Sequence, residues 1–354
     1  MKRKKLYLIF AVSIFICAAV IIYAYTQKQK EKANRSYVLL ERKGECANSA
    51  EWKEVNNKGK LYLSLLQEDP TDTKTALKLA ALYIEEARVT GNHMYYDMAA
   101  MKYINNVLEL DPQNFHALVF KALIFMSQHH FADGLATAQQ AQKINPANAY
   151  VYGLLVDGNV EMGNYDSAIA NADKMVSIRP DLTSYSRISY LREINGDYAG
   201  AIKAMTLAVE AGGAGDEHTE WTRTQLAHLY EKTGDYIHAD SLYKFSLSLR
   251  PAYPYALAGL GRVALARNDH NTAISHYQKA VSLVDDYTLN EELADIYRLT
   301  GKTKEADEIL NKIIADMTKE AKASSDDETI GHYSDQELAV AYLKINNLDK
   351  ALEH

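Results

Sequence analysis

The sequence predicts an all-α protein: a solenoid of about eight helical hairpins, preceded by one N-terminal hydrophobic helix. Three observations carry this expectation. Prolines close helix-like segments at Pro112, Pro146 and Pro180, 34 residues apart; Pro251 follows after 71, and Pro70 precedes Pro112 by 42. Short turns begin at Gly163, Gly196, Gly234, Asn268, Gly301 and Asn346, at intervals of 33, 38, 34, 33 and 45 residues. An alanine follows each turn start by five residues, at Ala168, Ala201, Ala239, Ala273, Ala306 and Ala351. Self-similarity at a fixed period of roughly 20–50 residues is the mark of a repeat architecture. A helix stop followed by a helix with a small residue lets two helices pack closely. Six prolines and 17 glycines in 354 residues are too few for a protein of many short strands and tight turns.

The elements follow in chain order. Lys2, Arg3, Lys4 and Lys5 precede Leu6–Tyr25, a stretch of twenty residues without charge. At ~1.5 Å per residue such a helix crosses the ~30 Å apolar core of a bilayer. Residues 1–25 are therefore expected to be a membrane anchor, with Tyr23 and Tyr25 at the interface. Two alternatives stay open. A cleaved signal segment would need an apolar run nearer ~7–15 residues, and Ile22-Tyr23-Ala24 is a weak cleavage site. Lipid modification at Cys17 would need small residues where Ile14-Phe15-Ile16 stand. Basic residues nearly balance across the segment, with Lys28, Lys30, Lys32 and Arg35 on the far side. A basic tip before an apolar run resembles a secretory anchor, so the repeats are expected on the extracytoplasmic (periplasmic) side; secretion after cleavage and a cytoplasmic orientation are the alternatives. Residues 26–48 read as a charged linker, and residues 49–71, ending in the LQEDP signal, as a leading helix that shields the first repeat.

From about residue 72 the hairpins begin. In QLAHLYEKTGDYIHADSLYKFSLSLRP, Leu226, Ala227 and Tyr230 form one apolar stripe and Tyr236, Ala239 and Tyr243 the next. Leu260, Gly261, Ala273, Tyr277 and Ala280 repeat the pattern, as do Leu293, Ala294, Tyr297 and Ala306. At these residues the chain resembles the tetratricopeptide repeat family, over about residues 72–354. The small residue of the first helix is matched by Ala122, Ala227, Gly261, Ala294 and Ala339, and the aromatic three later by Phe125, Tyr230, Tyr297 and Tyr342. His129, Gly134 and Arg192 depart from the pattern, and about eight extra residues surround EARVTGNHMYY. The glycine-rich insert Ala211–Glu220 is expected to be a flexible break in the stacking. The last unit, ending at His354, reads as incomplete. The resemblance implies a right-handed superhelix whose first helices line a concave groove.

Chemistry-bearing motifs are sparse. Phosphate loops, dinucleotide fingerprints, nucleophile elbows and HExxH helices are missing from the sequence. Adjacent helical residues point about 100° apart, so His129-His130 cannot easily share a metal. Asp285-Asp286 and Ser325-Asp326-Asp327-Glu328 lack calcium-loop spacing. Cys17 and Cys46 have no CxxC partner. No catalytic residue, metal or cofactor is expected, and no small-molecule substrate. The net charge of −7 conceals an asymmetry: residues 1–45 carry ten Lys/Arg against three Glu, leaving −14 on residues 46–354. Nucleic-acid binding rests on Lys and Arg neutralising phosphates, so nucleic acid is not an expected partner.

What remains is a noncatalytic scaffold that binds a peptide or helical segment of a protein partner in its groove. Under the resemblance the groove residues are Leu123, Tyr190, Trp221, Thr224, His228, Tyr255, Arg262, Asp295 and Arg298, with His116 and Val119 beside them. Aromatics and arginines on a concave surface are typical anchors for recognition. The alternatives are an assembly factor for envelope or secretion machinery, or the repeat portion of a longer enzyme.

Overall fold

The computed structural model describes residues 16–27, 37–324 and 334–354. They fall into two compact bodies, residues 1–39 and 40–354. In the first, residues 16–27 form a helix, α1, with Ile16, Val20, Ile21 and Ile22 exposed. Residues 6–15 of the expected apolar helix lie outside the described residues. Among the described residues no helix is long and apolar enough to cross a membrane.

The second body opens with a 3-10 turn, Gly44–Asn48, and α2 (Ala50–Glu68), which packs on α3. Eight helical hairpins follow among the described residues. The first four are α3 (Thr73–Thr90) with α4 (His93–Leu110), α5 (Phe115–Ser127) with α6 (Phe131–Ile144), α7 (Ala149–Glu161) with α8 (Tyr165–Ile178), and α9 (Leu182–Ile194) with α10 (Tyr198–Glu210). Then come α11 (Glu217–Lys232) with α12 (Tyr236–Leu249) and α13 (Pro254–Ala266) with α14 (His270–Val281). The last two are α15 (Tyr287–Leu299) with α16 (Thr303–Ser324), and α17 (Asp335–Lys344) with the short α18 (Leu348–Glu353). No strand occurs among the described residues.

The turns inside the hairpins share one backbone solution. Gly91, His129, Gly163, Gly196, Gly234, Asn268, Gly301 and Asn346 are left-handed, with φ between 58° and 80°. Glycine adopts this region freely, and Asn and His enter it more readily than most residues. His129 therefore holds the turn where the pattern expects glycine. The following helix is then capped by a side-chain oxygen in most units: Asn92, Asp197, Asp235, Asp269 and Asn347 each accept a backbone N–H from the new first turn. The extra residues of the first hairpin lengthen both its helices, to 18 residues each, against 13 or 14 in the next two hairpins.

Small residues let these helices approach. A Cβ on Gly259 would lie 2.2 Å from the fully buried Tyr243 ring, and one on Gly261 would lie 2.6 Å from Tyr277. First helices also pack on the first helices of neighbouring units, α3 on α5, α5 on α7, α7 on α9 and α11 on α13, whereas second helices make no comparable contacts with one another. The crowded side is the inner side of a curve, so the first helices line the concave face.

The insert Ala211–Glu220 does not interrupt the stack, contrary to expectation: α10 packs on α11 across it. The reason is a buried carboxylate. Glu220 accepts the Gly215 N–H at 3.0 Å and an Arg223 N–H at 2.9 Å, which pins the glycine-rich stretch to α11.

Candidate functional site

The turn residue sets the register of each inner face. Asp157, Tyr190, His228, Arg262 and Asp295 each lie six residues before a left-handed turn residue, so they occupy one position in five successive units. Tyr150, Trp221 and Tyr255 lie thirteen before it and form a second row, nearer the loops that join one unit to the next.

Charges on this face are paired across units. Arg187 on α9 grips Asp157 on α7 with two hydrogen bonds, at 2.9 and 2.6 Å. Lys232 on α11 reaches Glu193 on α9. Arg262 on α13 donates to Glu231 on α11 at 2.9 Å, to Tyr243 Oη at 3.1 Å and to Glu292 on α15 at 3.5 Å. Lys344 on α17 meets Glu291 at 2.9 Å and Asp295 at 2.7 Å. The result is a ladder of ion pairs with one rung or more between neighbouring first helices from α7 onwards. Burial works against the Glu231 carboxylate, but the His228 hydrogen bond and the Arg262 charge outweigh it and hold its pKa below the usual range. Burial likewise opposes charge on Arg262, and Tyr243 and Glu231 more than offset it, so its pKa is raised.

The expected groove residues separate into four groups. Tyr190 and Trp221 stand open, 42% and 38% exposed, and His116 is exposed at the start of α5. His228, Arg262, Asp295 and Arg298 face the groove but are engaged: His228 with Glu231 at 3.0 Å, Arg298 with Asp307 at 2.7 Å and with the Lys344 carbonyl. Thr224, 4% exposed, turns its hydroxyl onto the Trp221 carbonyl, and Val119 is buried among Leu118, Ala122 and Leu154. Neither reaches the groove surface: both are buried, Val119 in the apolar cluster that joins α5 to α7. Leu123 and Tyr255 are half-buried against the core, Tyr255 edge-on to Tyr253.

Sequence reasoning does not anticipate a further set of contacts, in which the first hairpin returns to units five to seven. Asp285 donates its N–H to the Thr90 carbonyl at 2.9 Å. Arg88, at the end of α3, pairs with Glu85 at 2.9 Å, with Glu217 at the start of α11, and with His218 Nδ1 at 2.8 Å. Glu85, Glu217 and His218 could together offer three metal-ligand atoms, but the Arg88 guanidinium already supplies the positive charge among them. Burial raises the Glu217 carboxyl despite Arg88, and burial with the Arg88 charge lowers His218.

One cluster carries the residue types of a hydrolase. Ser127 Oγ donates to Asp97 Oδ2 at 2.8 Å and lies 3.2 Å from His93 Nδ1. The hydroxyl proton is directed at the carboxylate, so the imidazole is not placed as its base.

Residues 224–288 match the family model of the tetratricopeptide repeat. No curated protein matches the sequence. In fold, the chain is similar to the APC/C hetero-tetramer Cut9-Hcn1 (TM-score 0.57, 17% identity, covering 87% of this chain and 61% of that one). It is also similar to the human IFIT1 dimer with m7Gppp-AAAA (TM-score 0.57, 14% identity, 86% and 76% covered). A third likeness is to a tetratricopeptide repeat protein from Parabacteroides merdae (TM-score 0.51, 13% identity, 68% and 91% covered). The chain thus spans about 61% of the length of its Cut9-Hcn1 match. At these identities the likeness is one of fold: a solenoid of tetratricopeptide type.

Proposed function

We propose that the chain is a noncatalytic scaffold that holds a peptide or helical segment of a protein partner against its first helices between α9 and α15. One observation carries the reading: Tyr190 and Trp221 remain exposed on a concave face whose charges are already paired. Exposed aromatic area in a concavity gains from burial under an apolar side chain, while paired charges orient a partner more than they attract it. The acidic balance of residues 46–354, at −14, favours a basic or neutral segment. It disfavours a phosphate backbone, although the IFIT1 structures of similar fold hold RNA.

The test is affinity capture with the wild type beside Trp221→Ala and Tyr190→Ala, followed by binding of the captured protein's peptides. Each variant is expected to weaken binding by roughly tenfold or more, the scale of an aromatic anchor. Equal binding by all three, or binding of a short RNA that competes with the peptide, overturns the reading.

We also infer that Leu6–Tyr25 attaches the chain to a membrane with the repeats on the extracytoplasmic side. What supports this is the uncharged stretch behind Lys2–Lys5 and the exposed apolar side chains along α1.

A further inference from the structure

The segment Leu40–Asn48 bridges the first hairpin and later units of its own solenoid. Arg42, almost fully buried, donates to Glu86 on α3 at 3.0 and 2.5 Å and to Glu51 on α2 at 2.7 Å. Its guanidinium also stacks over the Trp52 ring, 5.6 Å from the centroid. Glu51 in turn meets Arg250, which closes α12 at the start of the loop to the sixth unit, at 3.0 Å. Lys43 pairs with Asp285 in the loop between α14 and α15, and Cys46 Sγ lies 3.9 Å from the Ala252 carbonyl. Gly44 is left-handed, φ +53°, and a Cβ there would lie 2.9 Å from Leu283. The tip of the first hairpin adds the Thr90–Asp285 and Arg88–Glu217 contacts. The strap and that tip therefore meet the loop after α12 at Ala252, the loop after α14 at Asp285, and Glu217, the first residue of α11.

We propose that the strap Leu40–Asn48 and the tip of the first hairpin form a latch that reversibly closes one superhelical turn on itself, at the edge where the Tyr150, Trp221 and Tyr255 row begins. Its chemistry is that of a contact made to open. The inter-turn contacts are largely polar, as in interfaces between parts that move relative to one another. Lys43 and Asp285 are both about half exposed, so their attraction is screened by salt. Inside the latch, by contrast, Arg42 stays bound to Glu86 on the same hairpin, so the strap and the first hairpin move as one piece. That opening admits a partner to the groove rests on the function proposed above; the latch does not.

Cys46 reports the latch without any partner, and its labelling rate in the same protein unfolded in urea is the reference for full exposure. The experiment labels the full chain with a maleimide and follows Cys46 by mass spectrometry. It compares wild type with Lys43→Glu, the charge swap Lys43→Glu/Asp285→Lys, and Gly44→Val. Labelling of a shielded group scales with the open population. Lys43→Glu and Gly44→Val should therefore speed Cys46 labelling by about tenfold over wild type, and the charge swap should restore the wild-type rate. For wild type alone, raising salt from about 0.1 to about 1 M shortens the screening length from roughly 10 to roughly 3 Å and should also speed Cys46 labelling. Cys46 rates equal in all four proteins, or a wild-type rate indifferent to salt, overturn the latch whatever partner capture shows.

Discussion

Asp97 sits 4% exposed on α4, with a serine hydroxyl and, farther off, the His93 imidazole as its polar neighbours. Burial pushes its carboxyl up to about 6, against the smaller opposing pulls of His93 and Ser127. Because the folded value lies above that of an unfolded aspartate, the folded state holds the proton more tightly. The stabilisation from that proton is present below pH ~4 and is lost as pH rises through ~6. Replacing Asp97 with Asn removes the titration while keeping the shape. The stability advantage of Asp97→Asn over wild type should therefore be greater at pH 8 than at pH 4 by about 3 kcal/mol. Urea titrations at the two pH values measure it, and a pH-independent difference would sink the argument. Nothing in the sequence singles out Asp97. Its environment is made by Ser127 on the neighbouring hairpin, thirty positions away.

Between elements, the decisive contact is a small residue against a buried ring. Gly259 on α13 faces Tyr243 on α12, and the ring is fully enclosed, so it cannot swing aside. Gly259→Ala gains the usual helix propensity of about 1 kcal/mol over Gly, yet its Cβ overlaps the ring and overpacking costs about 1–3 kcal/mol. The clash should win, giving a net loss of up to about 2 kcal/mol by thermal or denaturant unfolding. A stabilised variant would show that α12 and α13 can separate without cost. This pairing was legible in part: the Leu260–Gly261 stripe and the Ala273–Tyr277 stripe follow from spacing, and the aromatic-on-small pattern from their repetition. Which of two neighbouring glycines meets which tyrosine depends on the crossing angle of the helices, which spacing leaves open. The ion-pair ladder was legible to a similar degree. Tyr190, His228, Arg262 and Asp295 share one repeat position and were recognisable as one face. That Arg262 would be held by Glu231 and Glu292, three residues along on one neighbour and nine before the turn on the other, depends on how far each unit is rotated from the last.

For the whole molecule, a solenoid's stability is approximately a sum over neighbouring units, and the latch is the departure from that rule. It joins the first hairpin to units five to seven, so disruption at Lys43 or Gly44 is felt far along the chain. The anchor proposed at Leu6–Tyr25 has its own test. An alkaline phosphatase fused after residue 60 should be active, and a fluorescent cytoplasmic reporter at the same point dark; the reverse pattern would place the repeats in the cytoplasm. By itself, the sequence determined the hairpins, their turns and their inner register, because helix period, left-handed turn residues and small-residue packing are local or involve adjacent units. The tertiary structure alone decided that Thr224 and Val119 are buried, that the glycine-rich insert is pinned by Glu220, and that the strap crosses to Asp285. The first two are set by the packing of adjacent helices and by a side-chain conformation that spacing leaves open; the third depends on the accumulated rotation of many units, a quantity that grows with every small angle along the stack and that no single repeat encodes.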